Sequence, residues 1–303
     1  MSINVIFERR NQIERKPEWI RSRIPTGEKF KFISNLCREL NLHTVCEEAA
    51  CPNIAECWGS GTATFMILGD VCTRACRFCN VKSGNPKGFV DYTEPLRVAE
   101  AVSKMDLDYI VITSVDRDDL EDGGASIFAE TVKVIKKKNP NIIVELLIPD
   151  FKANLNSLKL VANSGAEVIG HNIETVRRLT PIVRDPRANY DQSLLVLKTL
   201  KELNPKIFTK SSLIVGFGEK EEEVIETMLD LRKVNVDFLT IGQYLRPSKR
   251  HIPVVEYVNP EKFKKYEEIG LKLGFKYVAS GPFVRSSYKA GHYYVKTLLA
   301  NNR

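Results

Sequence analysis

Apolar positions along this chain follow two alternating rhythms. Short runs rich in β-branched residues occur at TATFMIL (62–68), YIVIT (109–113), IIVELLIP (142–149), EVIGHN (167–172), TKSSLIVGF (209–217), DFLTIGQYL (237–245) and FKYVAS (275–280). Between them lie stretches such as EPLRVAEAVSKM, ASIFAETVKVIKKK and QSLLVLKTLKEL, whose apolar residues return every three or four positions. The first pattern predicts strands and the second amphipathic helices. Strand–helix alternation with nearly continuous apolar strands predicts a parallel sheet covered by helices. Six such units are too few to close as an eight-unit barrel does. The expected fold class is therefore α/β, an open partial (βα)6 barrel, with a doubly wound sheet as the alternative. In both architectures ligands sit beyond the C-terminal ends of the strands, so polar residues directly after strands one, two, four, five and six are the candidates for a site.

Residues 1–60 read as irregular, punctuated by Pro17, Pro25 and Pro52, with one predicted helix at FKFISNLCREL (30–40). Phe32, Ile33, Leu36, Cys37 and Leu40 share its apolar face, and Cys37 reads as a small core residue. The expected organisation is an N-terminal extension (1–60), the barrel (61–282), and a short basic C-terminal segment (283–303) predicted to be helical.

Composition narrows the class. Hydrophobic residues make up 43% and charged residues 27% of the 303 positions, the balance of a globular protein. No run approaches the ~20 apolar residues of a membrane span. The start, MSINVIFERRNQIERKPEWI, has no signal-like apolar run and carries Glu8, Glu14 and Glu18, so a cytoplasmic protein without a membrane partner is expected. The net charge of +7 is spread over 45 basic and 38 acidic residues. No basic block has interleaved aromatics, which argues for a solvated surface over a nucleic-acid site. A moderate positive field also suits an acidic protein partner.

Six of the seven cysteines fall between positions 46 and 79. In a reducing compartment such crowding points to metal or catalysis rather than disulfides. The first strand runs directly into Cys72-x3-Cys76-x2-Cys79. Three thiolates on one tight loop can hold three corners of a [4Fe–4S] cluster and leave the fourth iron open to a cofactor or substrate. A zinc site would need a fourth ligand, and no His is near. Cys46-x4-Cys51-x5-Cys57 forms a second triad upstream. One shared cluster or a zinc pair would use all six thiols, but equal triads on either side of a predicted strand favour two sites.

The 72–79 loop after a first barrel strand resembles the radical S-adenosylmethionine superfamily. The surrounding residues resemble one family within it, lipoyl synthase: EEAACPNIAECWGSGTATFMILGDVCTRACRFCNV, TSVDRDDLEDGGA (113–125), ELLIPDF (145–151), HNIETV (171–176), TIGQYLRPSKRHIPVVEYV (240–258) and GPFVRSSYKAG (281–291). The resemblance spans roughly 30–291. It departs at VIGHN (168–172), at Ser212 and at PRANYDQS, near the expected cofactor pocket.

The resemblance implies two [4Fe–4S] clusters and S-adenosylmethionine. The cluster on Cys72, Cys76 and Cys79 would bind and cleave the cofactor, and the released 5′-deoxyadenosyl radical would take hydrogen from an octanoyl chain. The auxiliary cluster on Cys46, Cys51 and Cys57 would supply two sulfur atoms, with Ser287 of Arg285-Ser286-Ser287-Tyr288 as its fourth ligand. That motif alone would also suit a turn or a helix cap. The implied partners are an octanoylated lipoyl carrier protein (a lipoyl domain of a 2-oxoacid dehydrogenase or a glycine-cleavage H protein) and an electron donor such as ferredoxin or flavodoxin, acting on a monomer. Such chemistry is what the substrate demands. No His or carboxylate deprotonates an unactivated methylene near neutral pH, so a one-electron cofactor must do the work. Asp116, Asn172, Glu174 and Arg184 are the candidates to contact the cofactor, with Gly216, Gly218 and Glu219 closing the fifth strand. The histidines at 43, 171, 251 and 292 read as structural or solvated. The competing readings are another sulfur-inserting radical enzyme, or a zinc-stabilised binding module.

Overall fold

A computed structural model describes residues 15–287 except 22, 23 and 25. In chain order the elements are α1 (Glu28–Glu39), β1 (His43–Thr44), α2 (Val45–Glu48), α3 (Ile54–Gly59), β2 (Thr64–Ile67), β3 (Val71–Cys72), β4 (Lys82–Ser83) and α4 (Glu94–Met105). They continue with β5 (Tyr109–Ser114), α5 (Ala125–Lys138), β6 (Ile143–Leu147), α6 (Leu155–Ala162), β7 (Val168–Gly170), α7 (Thr180–Val183) and α8 (Tyr190–Leu203). The last are β8 (Phe208–Val215), α9 (Glu221–Lys233), β9 (Phe238–Gln243), α10 (Pro260–Lys272) and β10 (Tyr277–Gly281).

One sheet has the order β1-β2-β5-β6-β7-β8-β9-β10, and every pair except β1·β2 is parallel. Its ends do not meet, so this is the expected open barrel: six strand–helix units followed by a seventh parallel strand. The helices α4 and α5 begin and end where the apolar periodicity places them. Ile110, Ile112, Val144, Leu146 and Ile169 face outward into a core completed by Val98, Phe128, Val132 and Val161. Leu213, Val215, Leu239 and Ile241 do the same against Val224, Met228 and Phe263. The opposite strand faces meet inside the barrel, because successive side chains on a strand alternate. There Tyr109, Val111, Val168, Phe208 and Phe238 fill the N-terminal end. Just above them Lys210 donates to Glu145 at 2.7 Å, and Tyr109 also bonds to Glu145. That end is closed, which leaves the C-terminal end for a site.

The structure departs from the sequence reading in two details. Residues 1–60, read as irregular apart from one helix, also carry a strand: β1 pairs antiparallel with β2, His43 opposite Met66 and Thr44 opposite Phe65. A two-residue strand has no period to read. Thr44 then caps α2 by accepting from Glu47 N at 3.3 Å. At the other end, residues 283–287 form turns rather than the start of a helix. The rest of the predicted helix, Tyr288 and His292 included, lies outside the described residues. Cys37 is 3% exposed on α1, a core residue as expected. Among the described residues no helix is long and apolar enough to cross a membrane.

Candidate active site

The loop bearing Cys72, Cys76 and Cys79 leaves β2 through Gly69, whose φ of +83° favours glycine. It closes on itself where β3 pairs with β4 and Gly84 N donates to Cys72 O at 2.9 Å. Segments that follow other strands then grip it. After β5, the Asp116 carbonyl accepts both Thr73 N and Thr73 Oγ1 at 2.9 Å. Arg74 donates to Asp118 at 2.8 and 2.9 Å, and to Asp150, beyond β6, at 2.6 and 2.7 Å. After β7, Asp185 accepts Ala75 N at 2.8 Å and Val183 O accepts Arg77 N at 2.9 Å. After β9, His251 Nε2 donates to Cys79 O at 2.9 Å, while Ser248 donates to its Nδ1. The loop is thus held by segments that follow four other strands.

The three thiols lie within range of one another's charge. Burial pushes Cys76 and Cys79 up to about 12, reinforced by Cys79 on the one and Cys72 on the other. Burial also raises Cys72. Backbone N–H groups of Arg74 and Asp185 point at Cys72 Sγ (3.4 Å) and Cys76 Sγ (3.3 Å), as they would at thiolates. A buried thiol stays protonated until positive charge stabilises its anion, and a bound cluster would provide that charge.

Asp116, Asn172, Glu174 and Arg184 gather beside this loop. Burial lifts the Asp116 carboxyl to about 6 although Arg74 pulls it down. All three loop thiols feel its charge. Glu174 adopts φ +66°, bridges to Leu213, and accepts from Asn172 Nδ2 at 3.0 Å. Burial raises its carboxyl and Arg184 lowers it. Arg184 is itself buried and placed by a relay: its Nη1 donates to Ser193 Oγ at 2.9 Å, and that hydroxyl meets His171 Nε2 at 3.0 Å. His171 Nδ1 lies 3.0 Å from Ile148 O, which can only accept, so the proton sits on Nδ1. Glu219 does something else. Its carboxylate accepts Gly216 N at 2.5 Å and Phe217 N at 2.9 Å, so it closes the turn after β8.

Cys46 on α2, Cys51 in the following turn and Cys57 on α3 form the second group. Burial pushes Cys46 up to about 12, with Cys51 and Cys57 adding to it, and raises Cys51. The indole N–H of Trp58 is buried without a conventional partner and turned toward the Cys46 thiol. An indole donor turned toward a cysteine sulfur would stabilise the thiolate that an iron–sulfur cluster requires. A single ion would draw ligands to within about 2.3 Å of one point. Among the described residues no three His, Cys, Asp or Glu side chains converge so tightly, and cysteines on separate corners of a cluster need not. Each triad offers three thiols, the donor an iron–sulfur cluster takes, and so fits one in donor chemistry. Asn80 Nδ2 donates to Glu48 O at 3.0 Å and joins the two loops. Asn53 Nδ2 donates to Phe283 O at 2.6 Å, and Arg285 lies within charge range of Cys51. The segment carrying Ser287 is thus seated against the second triad.

Sequence reasoning missed Arg74 with its two aspartates, His251 and Asn53. Their partners lie far away along the chain, and no local spacing announces them. A cleft of about 560 Å³ on the opposite, N-terminal face is lined by Lys201, Arg232, Lys276 and Asp237. Its Lys201 and Lys276 already pair with Asp237.

Residues 66–231 match the family model of the radical SAM superfamily, and residues 4–51 match that of the N-terminal domain of lipoyl synthase. The lipoyl synthase of Thermus thermophilus is 57% identical over 281 residues, covering 93% of this chain and 87% of that protein. The mitochondrial lipoyl synthase of Drosophila willistoni is 54% identical over 304 residues, covering 97% and 82%. The apicoplast lipoyl synthase of Plasmodium knowlesi is 55% identical over 290 residues, covering 96% of this chain, which spans 66% of that protein's length. Among solved structures, the [FeFe]-hydrogenase maturase HydG is similar in fold with a TM-score of 0.56 at 14% identity, covering 91% of this chain and 61% of that one. Methylornithine synthase gives a TM-score of 0.52 at 10% identity, covering 95% and 84%.

Proposed function

The chain belongs to the lipoyl synthase family of the radical S-adenosylmethionine superfamily, and from that premise we propose that it inserts two sulfur atoms into an octanoyl chain held on a lysine of a carrier protein, giving the lipoyl group. The observation that carries the reading is the pair of thiol triads flanking β2, Cys46 buried and the other five cysteines half-buried, one triad beside Asp116, Asn172, Glu174 and Arg184, the other beside the segment of Ser287. Cys72, Cys76 and Cys79 would hold a [4Fe–4S] cluster able to bind S-adenosylmethionine. Cys46, Cys51, Cys57 and Ser287 would hold the auxiliary [4Fe–4S] cluster, the co-substrate that would supply sulfur. When bound, these groups supply the one-electron chemistry and the sulfur that no side chain here could provide.

The protein's own residues position and enclose. Arg184, fixed by Ser193 and His171, presents a guanidinium suited to the cofactor's carboxylate. Asn172 and Glu174 offer polar groups to a ribose. The positive net charge suits an acidic carrier domain and an acidic electron donor of the ferredoxin or flavodoxin type. The test uses an octanoyl-lysine peptide, reductant and S-adenosylmethionine, read by mass spectrometry. The wild-type chain forms 5′-deoxyadenosine and a product with two added sulfurs. Cys76→Ala forms neither, whereas Cys51→Ala still forms 5′-deoxyadenosine and adds no sulfur. A Cys51→Ala variant that made the full product would refute the assignment of the auxiliary triad.

A further inference from the structure

Asn53 lies between two cysteines of the auxiliary triad and is 5% exposed. Three of its groups are engaged at once. Its backbone N–H is directed at the Cys51 thiol, and its carbonyl accepts Cys57 N at 2.9 Å. Its side chain leaves α3 altogether, making no cap to its own helix, and donates to Phe283 O, 230 residues away, at 2.6 Å. One residue further on, the same C-terminal segment has a second seat. A Cβ built on Gly242, at the end of β9, would stand 2.1 Å from Val284 O and 3.1 Å from Arg285 Nη1. Backbone that close cannot give way as a flexible side chain would, so the segment rests where only glycine leaves room. Val284 N closes the turn onto Gly281 O at 3.1 Å, and Arg285 Nη1 donates back to Val284 O at 2.6 Å.

We propose that Asn53 is a positioning residue which, together with Gly242, latches residues 282–285 in place and so sets Ser287 against the auxiliary triad. The latch ties the loop of Cys51 and Cys57 to the barrel end through one donated hydrogen bond and one close backbone contact. Its purpose rests on the proposed cluster-holding role of that triad, but its existence does not.

Asn53→Asp keeps the shape and replaces the donor by a carboxylate oxygen that repels Phe283 O. Gly242→Ala attacks the other seat independently. The readouts are hydrogen exchange across 282–287 in the iron-free full chain, with β5 as the fold check, and iron content and 5′-deoxyadenosine formation in the reconstituted chain. Each variant raises exchange across 282–287 by on the order of tenfold, Asn53→Asp through loss of one buried hydrogen bond and Gly242→Ala through displacement of the Val284 carbonyl, with β5 unchanged. Iron per chain falls toward half, and 5′-deoxyadenosine formation persists while sulfur insertion drops. If Asn53→Asp fails to fold, Gly242→Ala decides. Unchanged exchange in a folded variant overturns the latch whatever Ser287 does. Ser287→Ala is the separating control. If it keeps full iron while Asn53→Asp loosens the segment, the latch stands and the ligand role of Ser287 falls.

Discussion

His171 shows how a buried side chain governs a site it does not enter. Burial, then the nearby Arg184 charge, lowers its pKa from 6.5 to about 4. It is neutral in the fold, donating from Nδ1 to Ile148 O and accepting at Nε2 from Ser193, which in turn receives Arg184. The unfolded chain takes up a proton below about 6.5 that the fold refuses until about 4. Stability is therefore lost as pH falls through that window, by up to about 1.4 kcal/mol per pH unit. His171→Gln can mimic the donor and acceptor without titrating. We expect its urea-unfolding free energy, measured on the iron-free chain from pH 7 to pH 4.5, to lie below wild type at neutral pH and to converge on it in acid. Parallel curves would contradict the neutral-histidine relay. The sequence reads His171 as structural or solvated, and the relay to Arg184 was not legible, because Ser193 belongs to another element.

Among the elements, the loop between β2 and β4 depends most on Arg74. The guanidinium, 3% exposed in its side chain, meets Asp118 and the fully buried Asp150. These ties join the loop to the ends of β5 and β6. Arg74→Ala strands a carboxylate whose own pKa, raised by burial, is brought down to about 2 by the Arg74 hydrogen bonds and charge. The expected cost is about 3–5 kcal/mol. Arg74→Lys recovers only part of it, since an ammonium cannot reproduce the forked contact with two carboxylates. Urea denaturation of the iron-free variants measures both, and a loss below about 1 kcal/mol for Arg74→Ala would show that the loop is held otherwise. The strands and helices around this loop were legible because short apolar, β-branched runs alternate with stretches of helical period along the chain. The cysteine triads were legible because their ligands are local in sequence. The grip on the loop was not, since residues 74, 118 and 150 meet only after three strands are in register. The edge strand β1 and the turns at 283–287 escaped for a simpler reason: neither is long enough to carry a period.

At the scale of the whole molecule, the barrel separates two jobs. Aromatic packing and the Lys210–Glu145 pair close its N-terminal end. The C-terminal end brings together segments following β2, β5, β6, β7 and β9 around one thiol triad. The extension, stitched on by β1, sets a second triad beside it, and Asn80 links the two loops at 3.0 Å. This juxtaposition makes sense if one site activates carbon and the other delivers sulfur to it. The most direct measurement is therefore a single turnover of chain reconstituted with isotopically heavy sulfide, given octanoyl-lysine peptide in unlabelled medium and analysed by mass spectrometry. The account predicts that both sulfur atoms of the product carry the heavy isotope, with loss of the auxiliary cluster and about four irons remaining per chain. A product carrying unlabelled sulfur, or a full yield from chain whose auxiliary cluster stays intact, would contradict it.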